Sequence, residues 1–386
     1  MTPTVVVAAR GAARWRAGHP WIYRSDVAPI RAPAGVVRVT DTARRFLGQA
    51  LFSPASEIRL RLLTIDERPL TTEWWARRIA AALTRRAAVA ARATAYRVVH
   101  AEGDGLPSLV VDRYGDHVVA QLLSAGLEAR RLEILEAIAA VLSPRGILLR
   151  NDASVRRHER LPLEIVEAAG TVPDEIEVTE HAVRFLVFPR TGQKTGAYLD
   201  QRDNRFRLQD LARGRTLDVF TYQGLFALHM ARRGAEVVAV DSSAPALDVA
   251  RRNAVLNQAS GIEWREGNAF DLLRALERGG ERFDTIVLDP PAFAKTRSAV
   301  PKALGAYKEI NLRAMRLLAP DGLLFTASCS FHVSRTAFLE MLAAAAADSG
   351  RRIALREVTG QATDHPQLLT VPETGYLKGA FIQALD

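Results

Sequence analysis

The segment FDTIVLDPPAF (283–293) carries the most specific chemical signal in the chain. Asp289 follows an apolar run typical of a buried strand, and Pro290 and Pro291 then hold the backbone extended without N–H donors. This arrangement presents a carboxylate and nearby carbonyl groups to a planar nitrogenous base. An ordinary solvated aspartate at a strand end is the alternative, and the two consecutive prolines disfavour it. Asp289 and Pro290 are therefore candidate site residues.

Cys329 is the only cysteine of the chain, and it ends another apolar run, GLLFTASCS (322–330). A single cysteine excludes an internal disulfide and a multi-cysteine metal site, so we expect no bound metal. A lone cysteine is most often a small buried apolar residue. Its position at the carboxyl end of a strand, where doubly wound sheets bind ligands, favours a reactive thiol instead. His332 is either a partner of the thiol or a packing residue.

The segment LDVFTYQGLFAL has the form of a strand, a turn and the start of a helix. Such a turn places backbone N–H groups at the carboxyl edge of a sheet, so Asp218, Phe220, Tyr222 and Gly224 are candidate cofactor-binding residues. Only one glycine is present, which argues against the pyrophosphate of NAD or FAD. A nucleoside cofactor without phosphates remains, and S-adenosylmethionine fits this description.

The next two predicted strands end in further residues suited to a nucleoside. The strand EVVAVD ends in Asp241, and Ser242 follows it. A carboxylate at this point can accept hydrogen bonds from both hydroxyls of a ribose, although a structural role for Asp241 is the open alternative. The following strand leads to Asn268, Ala269 and Phe270, whose polar group, backbone N–H and aromatic edge could hold an adenine ring.

A cysteine and an aspartate in these positions suit carbon methylation of a pyrimidine. C5 of cytosine is a poor nucleophile, so a thiolate must first add at C6 and raise the electron density at C5. Negative charge then builds on the N3 and O2 side of the base, where an acid stabilises it. Cys329 and Asp289 are the residues that supply these two catalytic roles.

The predicted elements place these residues together. After about residue 176, apolar strands alternate with helices, which is typical of an α/β fold with a parallel, doubly wound sheet. Residues 1–70 show short β-runs separated by glycine and proline and predict a small barrel-like domain. Residues 71–175 predict an α+β middle domain, and the acidic, loop-like stretch between Pro162 and Pro173 predicts the boundary before the third domain, 176–386.

A helix is predicted from Thr72, with an apolar face of Trp74, Ile79, Leu83 and Ala87. The arginines of this helix are expected on the opposite, solvated side: Arg77, Arg78, Arg85 and Arg86.

Charge is distributed unevenly along the chain, whose net charge is +9. Residues 1–100 hold 17 arginines against 6 acidic residues, whereas the remainder is slightly acidic. An arginine-rich segment is expected of a module that contacts phosphates, and a solvated basic face without a partner is the alternative. The chain is 48% hydrophobic and 25% charged, without a long apolar run or a signal-peptide pattern, so we expect a cytoplasmic protein without a membrane partner.

At these residues the sequence resembles the cytosine-5 methyltransferases of bacterial large-subunit ribosomal RNA that carry an N-terminal PUA domain. The resemblance implies a PUA β-barrel, a small α+β middle domain and a Rossmann-like, S-adenosylmethionine-dependent methyltransferase domain. It also implies that Cys329 is the nucleophile and that 23S rRNA, or a ribosome assembly intermediate, is the partner. The resemblance extends almost end to end, through GHPWIYRSD (18–26), SEIRLRLL (56–63), GDGLPSLVVDRYGD (103–116), GQKTGAYLDQRDNR (192–205), DVFTYQGLFAL, VVAVD, DPPAF, SCS and DHPQLLTVPETGYLKG (364–379).

The segment 192–205 resembles the part of this family that covers the cofactor. Tyr198 can stack, Lys194 and Arg202 can contact the carboxylate of the methionine moiety, and Asp200 can contact its ammonium group. A turn with solvated charges before a helix is the alternative. Thr195 completes the set of candidate cofactor-binding residues in this segment.

Several alternatives stay open at this stage. Related two-cysteine RNA enzymes place a second cysteine after the two prolines, where this chain has Ala292 and Phe293, so another base must remove the C5 proton. An Asp-Pro-Pro-aromatic loop also serves methylation of exocyclic nitrogen, in which case Cys329 would be structural. A PUA-containing RNA-binding protein without catalysis is the third possibility. The target nucleotide and the formation of a homodimer are not decided by the sequence.

Overall fold

A computed structural model describes residues 2–386, and the chain divides into two compact units. The first unit comprises the chain up to Thr179 together with Val187–Leu199 and Thr363–Gly375. The second comprises Glu180–Leu186, Asp200–Ala362 and Tyr376–Asp386. The first two predicted domains thus belong to one compact unit, and the division into three domains stays a prediction.

The N-terminal part of the first unit is a five-stranded sheet with one helix. Its strands are β1 (Thr4–Val6), β2 (Trp21–Tyr23), β3 (Gly35–Thr40), β4 (Phe46–Phe52) and β5 (Ile58–Thr64), and its helix is α1 (Ala9–Arg16). The strand order is β1-β3-β4-β5-β2, with β1 parallel to β3 and the other pairs antiparallel. Alternate residues of β3 and β4 point into an apolar core that includes Val37, Val39 and Ala50. The predicted β character of this region is confirmed.

The predicted helix after this sheet is two helices, α2 (Thr72–Arg85) and α3 (Ala87–Ala90). Trp75, Ile79 and Ala82 form the buried face of α2. Of the predicted face, Ile79 is confirmed, Trp74 and Leu83 are only partly buried against the same core, and Ala87 is exposed. The predicted exposure of Arg86 was wrong. Its guanidinium is buried and forms a bidentate ion pair with Asp104, and it ends α2 by turning inward.

The rest of the first unit is built on a second five-stranded sheet. Its elements are β6 (Ala95–His100), β7 (Leu109–Tyr114), β8 (His117–Leu122), α4 (Ala125–Glu128), α5 (Arg131–Leu142), β9 (Gly146–Asn151), α6 (Val155–His158) and β10 (Glu164–Gly170), in the sheet order β10-β9-β8-β7-β6. The prediction of a loop in the acidic stretch between Pro162 and Pro173 is therefore wrong, because β10 lies in this stretch and pairs with β9 along its length. As an edge strand with mostly exposed side chains, β10 needs few apolar residues, and its sequence resembles a loop.

The strands β11 (Ile176–Glu180) and β12 (Val183–Val187) form a two-stranded sheet. Helix α7 (Arg202–Leu211) then opens the main part of the second unit.

The second unit contains a seven-stranded sheet flanked by helices. Its elements after α7 are β13 (Arg215–Val219), α8 (Leu225–Ala231), β14 (Glu236–Asp241), α9 (Ala244–Leu256), β15 (Ile262–Glu266), α10 (Ala269–Arg278), β16 (Phe283–Leu288), α11 (Val300–Leu317), β17 (Leu318–Ser328), α12 (Arg335–Ser349), β18 (Ile353–Thr359) and β19 (Lys378–Ala384). The predicted helix around Tyr307 to Leu318 thus begins earlier, at Val300. The strand order is β15-β14-β13-β16-β17-β19-β18.

The first five strands of that order are parallel, as the alternation of strands and helices predicted. The last two, β19 and β18, are antiparallel to their neighbours and were not predicted. The chain order runs from β13 through β14 to β15 on one side and continues with β16 and β17 on the other. The carboxyl ends of β13 and β16 therefore form a topological switch point, where doubly wound sheets bind ligands. The predicted α/β fold is confirmed. No helix among residues 2–386 is long and apolar enough to cross a membrane.

Candidate active site

Four of the predicted site residues lie along one edge of the seven-stranded sheet. Asp218 is near the end of β13, Asp241 ends β14, Asp289 directly follows β16, and Cys329 directly follows β17. The pairing of Val219 with both Val240 and Leu288 brings the first three strand ends level with one another. Residues separated by more than a hundred positions therefore meet because parallel strands end at the same edge.

The loop between β13 and α8 has an unusual backbone. Phe220 and Tyr222 have φ values of 67° and 51°, which side chains other than glycine rarely adopt. The carboxylate of Asp241 helps to hold this loop, because its Oδ2 accepts a hydrogen bond of 2.9 Å from the N–H of Tyr222 and its Oδ1 accepts one from Ser243. Strained backbone of this kind persists where the surroundings determine it, and it is common at ligand sites.

Gly224 is required by packing as well as by the turn. Its φ is 81°, and a Cβ atom at this position would lie 2.6 Å from the indole of Trp264 on β15. The glycine thus lets α8 start close against Trp264. This contact gives Gly224 a structural reason to be glycine, and its contact with a cofactor stays a prediction.

Asp218 is fully buried and only partly satisfied. Its Oδ2 accepts hydrogen bonds from the hydroxyl of Thr221 at 2.5 Å and from the N–H of Ala227 at 3.0 Å. Its Oδ1 is buried without a hydrogen-bond partner. Burial, with smaller contributions from the charges of Asp289 and Asp241, raises the pKa of Asp218 to about 7. An unpaired carboxylate oxygen at this edge is suited to a cationic ligand group.

Asp289 is held by a residue that sequence reasoning missed. The side-chain amide of Gln201 donates a 2.8 Å hydrogen bond to its Oδ1, and Asn204 in turn donates to Gln201. Both are buried residues in or just before α7. Both lie within segment 192–205, which the family resemblance predicts to cover the cofactor, and this position is the signal that could have identified them.

The other candidate residues of segment 192–205 fall into the two units. In the second unit, Asp200 is buried and accepts a 2.7 Å hydrogen bond from the hydroxyl of Tyr376, while Arg202 is buried and donates to Asp203. These contacts show that Asp200 and Arg202 are held in place rather than solvated, so the alternative of a turn with solvated charges does not describe them.

In the first unit, the hydroxyl of Thr195 donates a 2.6 Å hydrogen bond to Asp112 and lies 2.9 Å from the hydroxyl of Tyr114. The exposed Lys194 has its ammonium group 4.7 Å from the centre of the Tyr198 ring. The side chain of Thr195 is thus engaged within its own unit, and the cofactor contacts of these three residues stay predictions.

The residues predicted to hold an adenine ring lie at the start of α10. The side-chain oxygen of Asn268 caps this helix by accepting hydrogen bonds from the N–H groups of Phe270 and Asp271. The centre of the Phe270 ring lies 6.1 Å from that of the Phe293 ring, so Phe270 lies beside the segment that follows the two prolines. Ala269 is buried and Ser242 is exposed.

Cys329 lies beside the loop that carries Asp289. Its thiol donates a long contact of 3.9 Å to the carbonyl oxygen of Pro290, and the residue is only half-buried. Ser330 fixes this arrangement, because its hydroxyl accepts a 3.1 Å hydrogen bond from the N–H of Ala294 and lies 2.9 Å from the hydroxyl of Tyr307. The exposed His332 packs its ring edge-on against Phe331.

Similar proteins cover both parts of the chain. The PUA-like domain family matches residues 5–65, and the methyltransferase domain family matches residues 211–368. The protein named ribosomal RNA large subunit methyltransferase I from Klebsiella pneumoniae (strain 342) is 39% identical over 94% of this chain and 93% of its own. The protein of that name from Serratia proteamaculans (strain 568) is 37% identical over 94% of each chain.

Solved structures show the same fold at lower identity. A putative S-adenosylmethionine-dependent methyltransferase from Streptococcus mutans has a TM-score of 0.84 and 19% identity, over 99% of this chain and 100% of its own. A putative methyltransferase complexed with SAH has a TM-score of 0.85 and 20% identity over the same shares. At these identities the likeness shows the fold alone.

Proposed function

The chain belongs to the ribosomal RNA large subunit methyltransferase I family, and we propose that it methylates C5 of a cytosine in 23S rRNA through a covalent bond from Cys329. Family membership makes it an S-adenosylmethionine-dependent methyltransferase. The observation that carries the finer proposal is the position of Cys329, a half-buried thiol against the carbonyl of Pro290, one residue from Asp289. Nucleophile and acid thus flank the same loop.

The residues at the sheet edge fit the cofactor. S-adenosylmethionine supplies a methyl group activated by a sulfonium, and it also carries an ammonium group and a ribose. The buried, unpaired Oδ1 of Asp218 is suited to accept a hydrogen bond from a cationic group. Asp241, half-buried at the end of β14, has carboxylate oxygens with lone pairs left beyond the two N–H groups that it accepts.

The proposed reaction uses Cys329 and Asp289 in turn. The thiolate of Cys329 forms a bond to C6, the C5–C6 double bond opens, and Asp289 donates a proton on the N3 side of the ring. C5 then takes the methyl group from the sulfonium, which leaves a thioether behind, and a base removes the C5 proton. The double bond re-forms as the bond between sulfur and C6 breaks, which returns Cys329 as a thiolate, and N3 gives its proton back to Asp289. The N–H-free backbone at Pro290 and Pro291 leaves carbonyl oxygens as the loop's polar groups toward the base.

Methyl transfer to unmodified rRNA tests this function. Transfer of radiolabelled methyl groups followed by nucleoside analysis should yield 5-methylcytidine. A methylated exocyclic nitrogen would contradict the role of Cys329, and absence of transfer would favour an RNA-binding protein. Naked 23S rRNA and assembly intermediates should be compared as substrates.

Asp241→Ala is expected to weaken cofactor binding by about 1.5–3 kcal/mol, the range for hydrogen bonds to a charged group. The substitution removes the acceptor proposed for the ribose and also releases the N–H of Tyr222. Titration calorimetry with S-adenosylhomocysteine measures the loss. Asp248→Ala, which removes an exposed carboxylate of α9, is the matched control. Equal affinities of Asp241→Ala and wild type would remove Asp241 from the site.

The RNA-binding part of the proposal rests on a basic cavity in the N-terminal sheet. The cavity has a volume of about 720 Å³ and is lined by Arg24, Arg31 and Arg59 together with apolar residues such as Phe52. Burial and the positive charge of Arg24 lower the pKa of Arg59, and the negative charges of Glu57 and Glu159 oppose this effect. Two guanidinium groups therefore lie near each other in the cavity. A phosphate would relieve this repulsion, and Phe52 offers a ring beside it.

Arg31→Ala and Arg59→Ala should each weaken binding to rRNA fragments and lower the dependence of log K on log salt concentration by about one. Binding is measured over a series of salt concentrations. The control Arg278→Ala removes one exposed arginine of α10 in the second unit and should leave the slope unchanged. If all three variants behave alike, the cavity does not contact phosphate.

A further inference from the structure

Lys378 is a buried lysine beside the segment that carries Cys329. It begins β19 and pairs across the sheet with Ser328, the last residue of β17. Its ammonium group donates hydrogen bonds to the carbonyl oxygens of Ser330, at 2.7 Å, and Tyr376, at 2.9 Å. The ammonium group is thereby anchored to the residue that follows Cys329. Sequence reasoning did not select it, although a lysine at the head of the apolar strand KGAFIQA was a visible signal.

This lysine has no carboxylate to balance its charge. Throughout residues 2–386, no aspartate or glutamate forms an ion pair with it, although only 5% of its surface is exposed. Burial lowers the pKa of Lys378 to about 8. The negative charge of Cys329 has a smaller effect in the opposite direction. Burial of an ammonium group without a counter-charge costs free energy. A nearby group that can become an anion would therefore stabilise the charged form of Lys378.

The surrounding titratable groups do not provide that charge. Tyr307 on α11 has its hydroxyl next to Ser330, and burial raises the pKa of this phenol, which keeps it neutral. The hydroxyl of Tyr376 donates to Asp200, and no ion pair joins Asp200 to Lys378 among residues 2–386. Asp289 accepts from Gln201, and His332 is exposed. Cys329 is the remaining group that can become an anion beside the lysine.

We propose that Lys378 is a positioning residue whose ammonium group stabilises the thiolate of Cys329. The interaction would favour the thiolate form of the nucleophile before the target cytosine binds, because a thiol next to a cation loses its proton at lower pH. The functional meaning of this pair rests on the proposed role of Cys329 as nucleophile. The pair itself is testable without RNA.

Alkylation of Cys329 by iodoacetamide as a function of pH measures the proposed interaction. Because Cys329 is the only cysteine, the labelling of the intact protein reports on this thiol alone. We expect Lys378→Met to move the midpoint of the rate profile upwards by about one pH unit, and to slow alkylation about tenfold below the midpoint. Lys378→Arg keeps the charge and should retain most of the wild-type profile.

Lys308→Met is the matched control, since it removes a lysine of α11 that pairs with Asp348. It should leave the alkylation profile unchanged. Lys378→Gln, which keeps a hydrogen-bond donor but no charge, replaces Lys378→Met if thermal melting shows that the latter is unfolded. A midpoint in the neutral variant equal to that of wild type overturns the proposal, as does an equal shift in Lys308→Met.

The outcomes also separate this inference from the proposed function. A shifted midpoint together with an active Cys329→Ala variant would support the ion pair and refute the nucleophile. An unshifted midpoint together with an inactive Cys329→Ala variant would refute the ion pair and support the nucleophile. In methyl transfer, Lys378→Met should lower kcat most at low pH and leave the cofactor affinity unchanged.

Discussion

Replacing Cys329 by alanine is expected to abolish methyl transfer, a loss of about 10⁴-fold or more, because the covalent step has no substitute nucleophile. Cofactor and RNA affinities should stay close to wild type, since the proposed role of the thiol lies in the chemical step. The side chain is half-buried and small, so its truncation costs little stability. Radiolabelled methyl transfer in single turnover, with binding measured in parallel, provides the test.

A covalent complex is the second expected result for Cys329. Fluorine at C5 of the target cytidine blocks the step in which the C5 proton leaves, so wild-type enzyme should remain attached to the RNA. Denaturing gel electrophoresis would detect this adduct, and Cys329→Ala should not form it. Ser349→Ala, a change of similar size near the end of α12, is the control and should form the adduct normally. An active alanine variant and no adduct with wild type would together favour nitrogen methylation.

Asp218→Asn is expected to stabilise the cofactor-free protein at pH 8 by about 4 kcal/mol while weakening cofactor binding. Burial raises the pKa of Asp218 to about 7 in the folded protein, against an ordinary value of 3.8. The wild-type protein therefore loses stability as the pH rises from about 4 through about 7, where the folded carboxyl group must ionise. Asparagine has no such ionisation, so its advantage should grow over the same range and vanish near pH 4.

Denaturant unfolding at a series of pH values from 4 to 8 measures this difference. Asp210→Asn, which alters an exposed carboxylate of α7 paired with Arg233, should show no comparable trend. Titration with S-adenosylhomocysteine measures the cost in affinity. If Asp218→Asn is less stable than wild type at pH 8, the buried carboxylate does not destabilise the cofactor-free protein. If the variant binds the cofactor as well as wild type does, Asp218 does not bind a cationic group of the cofactor.

The candidate site could be anticipated from local sequence because parallel sheets collect strand ends. Asp241, Asp289 and Cys329 each follow an apolar run, and the alternation with helices indicates that these runs are parallel. No information about long-range contacts is needed for that inference. The roles assigned to these residues are proposals that the experiments above address.

The errors have a common physical origin in packing. Trp74 and Trp75 are adjacent and equally apolar, and only the position of α2 against its sheet selects Trp75 for the core. Arg86 was expected in solvent, but Asp104 lies where it can pair with a buried guanidinium. β10 is a strand because β9 is available to pair with it, not because its own residues favour one.

The sequence by itself determined the alternation of strands and helices that builds the parallel part of the sheet, the carboxyl edge on which the chemistry is placed, and the family to which the chain belongs. These depend on hydrophobic periodicity, turn residues and short motifs, which are local properties of the chain. The tertiary structure alone decided three buried features: the hydrogen bond from Gln201 to Asp289, the unpaired oxygen of Asp218, and the hydrogen bond from Lys378 to the carbonyl of Ser330, next to Cys329. Their energies arise from desolvation and from neighbours distant in sequence, and both exist only once the chain is folded.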